Sequence, residues 1–259
     1  MEELGNNMTD NKIVKAIMNA LMDLDNEYFK NHKLKKPSKS NVRIGRSNSV
    51  SYVFERKLAK RLGKVFRNYY FFVDYPITLY DKNNTKIKQV YPDIFVVKGL
   101  DMEKKDSEGK AVAIIDLKID LGYLNLDHYG ISKDGRQIEN KNSNFVKRED
   151  ALNKCDLGRF DYIVGAYSDE EKQINKEKGK LKVKIPKNIL KISIISTKDN
   201  AHGRLEIYRK ILEKQGYSVL FLLNEKTHLN SDHKLPEKII DKQLPKKEII
   251  KAFRGLWMI

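Results

Sequence analysis

Between Ala111 and Ile119 the chain reads AVAIIDLKI, and this stretch constrains the fold more than any other. Ala111 to Ile115 is apolar and β-branched, as expected of a strand covered on both faces. Asp116 and Lys118 follow, with Leu117 between them. Side chains of a strand alternate faces, so Asp116 and Lys118 project to the same side and Leu117 and Ile119 to the other. A buried strand with two ionisable groups at its end needs a reason for them.

A second apolar run lies upstream. Pro92-Asp93 precedes Ile94-Phe95-Val96-Val97. Pro92 suits the start of a strand and not its middle, so Asp93 stands at the opening of an apolar strand. The sequence predicts strands over Val90–Val97 and Ala111–Ile119, joined by a polar, hairpin-type connection from Asp101 to Lys110. Pairing of the two strands would bring Asp93 near Asp116 and Lys118. Two carboxylates held together repel unless a cation lies between them, and a hard ion such as Mg²⁺ suits oxygen donors. A lysine beside the pair can orient a water or balance charge on a phosphate. Together these are the groups that metal-assisted hydrolysis of a phosphodiester requires. The bland alternative is two strands whose charged ends are merely solvated.

Pro92-Asp93 and Asp116-Leu117-Lys118 resemble the motif of the PD-(D/E)xK nuclease superfamily, which includes most type II restriction endonucleases. The resemblance covers about Val50 to Asp120. It implies an α/β fold, an α/β/α sandwich with a mixed central sheet and a restriction-endonuclease-like core, carrying N- and C-terminal additions. It implies Mg²⁺ held by Asp93 and Asp116, with the Leu117 carbonyl as a further ligand and Lys118 as the catalytic base or water-positioning group. Many members take a glutamate from a helix before the hairpin. Here Glu55 fits, because Phe54, Leu58, Leu62, Val65 and Phe66 form the apolar stripe of a helix over Val50–Phe66 and Glu55 falls in the sector of Leu62 and Phe66.

Charge points to the partner. The 51 Lys and Arg against 35 Asp and Glu give a net charge of +16 over 259 residues, which favours a polyanion. Residues Asn31 to Asn48 form a basic, Ser- and Asn-rich arm, in which Lys35, Lys36, Lys39, Arg43 and Arg46 are candidate phosphate contacts. The polar stretch Asp120 to Asn144 leaves the catalytic strand and offers Lys133 and Arg136 for DNA contact. Asp120 is more readily a surface group than a metal supporter, and His128 has no evident ligand partners.

Helices are expected over Asp10–Phe29, capped by Thr9 or Asp10, and over Phe145–Cys155, His202–Gln215 and Lys246–Trp257. Strands are expected over Tyr69–Tyr80, Arg159–Tyr167, Ile189–Ser196 and Tyr217–Leu223, the last two forming a parallel pair through the intervening helix. Asp169–Lys184 is a solvated helix or hairpin. The organisation is an N-terminal helix and basic arm over 1–48, a core over 49–224 with an inserted loop at 120–144, and an extension over 225–259. No phosphate-binding Gly-rich loop is present, so no nucleotide cofactor is expected. One cysteine, Cys155, excludes an intrachain disulfide. A polar N-terminus and the lack of long apolar runs predict a soluble, cytoplasmic chain without a membrane span.

Four functions follow. The first is a Mg²⁺-dependent, sequence-specific endonuclease on double-stranded DNA, acting as a homodimer. The others are a structure-specific nuclease of junction-resolvase or repair type, a non-catalytic DNA-binding protein on the same fold, and a metabolic α/β enzyme. Charge and the missing cofactor loops disfavour the last.

Overall fold

Helix α2, Ser49–Val65, shows how the sequence pattern becomes packing. Leu58 and Leu62 are fully buried and Phe54 nearly so. Each such side chain contributes about 1.5–3 kcal/mol by leaving water. They pack on α1, Glu2–Lys35, whose Ile13, Ile17, Leu21 and Leu24 are also fully buried. Arg61 adds a 2.7 Å ion pair to Asp23 across the two helices, worth no more than about 1 kcal/mol at this partial exposure.

The computed structural model describes residues 2–35, 49–119, 144–164, 177–197, 205–224 and 235–256. The fold is α/β, with a mixed, open sheet and six α-helices among the described residues. The chain separates into two compact units. One holds Met1–Arg67, Ile115–Asn125 and Lys191–Ile259; the other holds Asn68–Ile114 and Leu126–Leu190. These cuts differ from boundaries at 48 and 224, because α1 packs on α2 and on the C-terminal helices within one unit.

In the second unit the strand order is β1–β4–β5–β7–β6–β2–β3. The strands are β1 Tyr69–Val73, β2 Ile77–Tyr80, β3 Lys86–Val90, β4 Ile94–Lys98, β5 Asp106–Lys118, β6 Leu157–Val164 and β7 Glu177–Lys184. Neighbours β1/β4, β2/β3, β2/β6 and β6/β7 are antiparallel, and β5/β7 is parallel. Helix α3, Asn144–Lys154, sets Ala151 and Leu152 into a core with Ile77, Leu79, Phe95 and Val97. An edge-to-face trio of Phe72, Tyr75 and Phe160 lies against it. Strand β5 continues into the first unit, where it pairs with β8, Leu190–Thr197. Helix α4, Leu205–Lys214, then leads to β9, Tyr217–Leu223, parallel to β8 as the strand–helix–strand pattern predicts. Gly216 ends α4 with φ +82°, a conformation side chains resist. Helices α5, Glu237–Gln243, and α6, Lys246–Phe253, close the unit.

Several expected elements need correction. The first helix starts before Asp10 and runs through the first five residues of the expected arm, to Lys35. Nothing in 2–10 stops it: Glu2 and Glu3 suit a helix N-terminus, and Gly5 costs only about 1 kcal/mol. The expected strand Tyr69–Tyr80 is two strands with different partners, because Asp74 adopts φ 48° and Pro76 lacks an amide donor. Likewise Val90–Val97 is split by Pro92 between β3 and β4. The polar residues Asp106 to Lys110 belong to β5. Only one face there is covered, so Ser107 is buried while Asp106, Glu108 and Lys110 face water. Of the two forms expected for Asp169–Lys184, the described part is a hairpin strand against β6. Gly179 is needed there, since a Cβ would fall 2.2 Å from the Lys105 carbonyl oxygen. Helix α5 had no sequence expectation.

Candidate active site

The Asp116–Lys118 stretch ends β5. Five buried residues, Ala111 to Ile115, carry it into the interior. Asp116 follows at 4% exposure. Lys118 folds back so that its Nζ donates to Asp116 Oδ1 at 3.0 Å and to the Leu117 carbonyl oxygen at 3.0 Å. The predicted shared face of Asp116 and Lys118 is what makes the first contact possible. A buried carboxylate demands a positive partner, and the ammonium supplies one. The Lys118 side chain remains 27% exposed, so the pair is open to solvent on one side.

The next strand is polar where the sequence reads as apolar. The Thr197 amide donates to the Ile119 carbonyl at 3.2 Å, joining β8 to the end of β5. Ser193, Ser196 and Thr197 on β8 are all buried. Sequence reasoning missed them because isolated hydroxyls in ISIIST do not disturb an apolar strand pattern; three within five residues were the available signal.

Glu55 sits on α2 at 8% exposure, on the buried side with Leu58 and Leu62, as the helical angle predicts. It belongs to the same compact unit as Asp116 and Lys118. Asp93 belongs to the other unit. It is half-buried, directly before β4, and its carbonyl accepts the Asp74 amide at 3.0 Å. Among the described residues no group of three or more His, Cys, Asp or Glu side chains forms a site that could hold a metal ion. What the structure brings together is two hard oxygens, Asp116 Oδ1 and Leu117 O, around one positive charge. Both are donor types that a hard divalent cation accepts, so this part of the expected ligand set fits.

Lys35 is in the last turn of α1. Lys36, Lys39, Arg43, Arg46, Lys133 and Arg136 lie outside the described residues, as do Asp120, His128 and Trp257. Two further buried acids escaped the sequence reading. Glu149 on α3 is 2% exposed, with Arg148 Nε 3.3 Å from its Oε1. Asp25 on α1 is also 2% exposed and accepts the Leu235 amide at 2.8 Å. Cys155 is buried, and loss of hydration pushes its thiol pKa up, away from the range of a reactive thiolate. Among the described residues no helix is long and apolar enough to cross a membrane.

No protein-family model, curated protein or solved structure matches the chain.

Proposed function

We propose that the protein is a Mg²⁺-dependent, sequence-specific endonuclease that hydrolyses phosphodiester bonds in double-stranded DNA, on a restriction-endonuclease-like core. The observation that carries the reading is the Asp116–Lys118 pair: a buried carboxylate at the end of an apolar strand, with an ammonium 3.0 Å away and partly open to solvent. The sheet supports it, because β4 and β5 are neighbours in one unit and β8 and β9 run parallel in the other.

Asp116 and the Leu117 carbonyl oxygen are the groups that would hold Mg²⁺, with Glu55 of the same compact unit as a further acid. The ion would supply Lewis acidity toward a phosphoryl oxygen. The ammonium of Lys118 orients the attacking water, and it offsets negative charge as it grows on the phosphorus-bound oxygens. Asp116 keeps Lys118 aimed, since its Oδ1 accepts from the ammonium at 3.0 Å. The carboxylates alone would repel a phosphodiester, so cations must outnumber them as substrate enters.

Incubation of a plasmid of known sequence, with Mg²⁺ and then with EDTA, tests the reading. Discrete fragments that require the metal are expected. Cutting confined to branched DNA would replace it with a structure-specific nuclease. Binding without any cutting would replace it with a non-catalytic DNA-binding protein.

A further inference from the structure

We propose that the solvent-facing side of the sheet in the second unit is a docking platform for the phosphate backbone of duplex DNA, separate from the Asp116–Lys118 site. This rests on the reading of DNA as substrate. Strand β7 reads EKGKLKVK, and its alternation is complete. Leu181 and Val183 are fully buried in the core, while Lys178, Lys180, Lys182 and Lys184 point the other way. Residues two apart on a strand are about 6.7 Å apart, so the four ammonium groups form a rail about 20 Å long.

The register shows that this rail is not simply neutralised by the sheet. In the parallel pairing with β5, Asp106 opposes Lys180 and Glu108 opposes Lys182. Glu108 and Lys182 approach to 3.7 Å. The third pair breaks the pattern, because Lys110 opposes Lys184. Like charges directly opposite on adjacent strands destabilise a sheet. Neither lysine has an ion pair among the described residues, and both are exposed.

The same row continues across the sheet. Lys184 pairs with Leu157, Leu157 with Tyr80, and Tyr80 with Lys86. Directly paired residues face the same side; the register shifts between Leu79 and Tyr80, but Lys86 is exposed while Ile87 packs on the core, so the row is lysine, lysine, leucine, tyrosine, lysine over five adjacent strands. At about 4.8 Å per strand it spans about 19 Å. Arg159, in the next row, lies over the Tyr80 ring at 4.4 Å and donates to Asn84 Oδ1 at 2.6 Å, which holds its guanidinium in place. A duplex presents one charge per about 1.7 Å of axis, or about eleven phosphates along such a row. A row that carries three lysines without ion pairs among the described residues and a half-buried aromatic, Tyr80, complements that backbone. It relieves the Lys110–Lys184 repulsion, which a solvated lysine face would leave in place.

The test is a fluorescence-anisotropy titration of a labelled random-sequence duplex with the whole chain, in EDTA, over a range of KCl. The triple variant Lys86→Gln, Lys110→Gln, Lys184→Gln is compared with wild type. Loss of three contacts is expected to reduce the slope of log K against log salt by about 2 to 3, at about 0.9 per contact. The corresponding Arg triple variant should keep the wild-type slope. A control triple, Lys242→Gln, Lys247→Gln, Lys251→Gln, removes equal charge from exposed positions on α5 and α6 and should change the slope by less than 1. A wild type that does not bind, an unchanged slope in the sheet variant, or an equal change in the control overturns the platform. Plasmid cleavage with an unchanged slope keeps the nuclease and removes the platform. A reduced slope without wild-type cleavage does the reverse.

Discussion

In the proposed nuclease, Lys118 is the residue on which the chemistry would turn. Its ammonium meets Asp116 Oδ1 and Leu117 O at 3.0 Å each, and more than a quarter of its side chain stays exposed. An interaction that strengthens as charge develops falls on the chemical step rather than on binding. Lys118→Ala is therefore expected to slow single-turnover cleavage by two to three orders of magnitude, a loss of about 3–4 kcal/mol, while duplex affinity changes little. Near wild-type cutting would make Lys118 an ordinary strand-end lysine. Tyr162 offers a prediction of opposite sign. Its hydroxyl is buried and has no hydrogen-bond partner among the described residues. A buried hydroxyl without a partner costs about 1–3 kcal/mol on mutational scales, so Tyr162→Phe should leave urea stability unchanged or raise it by up to that amount. A clear loss of stability would show that the hydroxyl has a partner.

At the scale of elements, the N-terminal helix is held by the far end of the chain. Asp25 on α1 accepts the backbone amide of Leu235, which stands just before α5. The carboxylate is buried, so its removal leaves a donor unsatisfied. Asp25→Ala should cost about 1–3 kcal/mol in urea unfolding, and Asp25→Asn, which keeps an acceptor oxygen, should recover part of it. Equal stability of the Ala variant and wild type would mean that water replaces the carboxylate at no cost. Helix α6 also packs on α1, with Ile249 and Phe253 fully buried. The apolar faces of the two terminal helices are thus in use within one chain.

At the scale of the molecule, the nuclease reading still requires two clusters to cut both strands in one encounter. One chain carries one Asp-x-Lys pair of this kind at the end of β5, so a homodimer on a two-fold DNA site remains the expected assembly. With the apolar faces of α1 and α6 committed internally, its contacts should be polar and strengthened by DNA. Light scattering at micromolar concentration should show two chains per duplex. One chain per duplex would require sequential nicking, visible as accumulation of open-circular plasmid. With a net charge of +16, the proposed complex should be strongly salt-sensitive.

Local pattern alone determined α2, α3, the β8–α4–β9 unit and the shared face of Asp116 and Lys118, because each rests on a period of 3.6 or 2 within a few residues. It also placed Glu55 on a buried stripe, since angle along a helix is a local quantity. Tertiary structure decided what local pattern could not. Tyr69–Tyr80 reads as one run of β-formers, yet Asp74 and Pro76 turn it so that β1 pairs with β4 and β2 with β3 and β6. The alternating lysines of β7 read as a solvated segment, because only pairing with β5 and β6 gives that strand a buried side and sets Lys184 against Lys110. Asp25 could not be read at all, because its partner lies 210 residues away. Spacing reports which side chains share a face. Which face meets which, and which charge is left uncompensated, is fixed only when distant strands choose their neighbours.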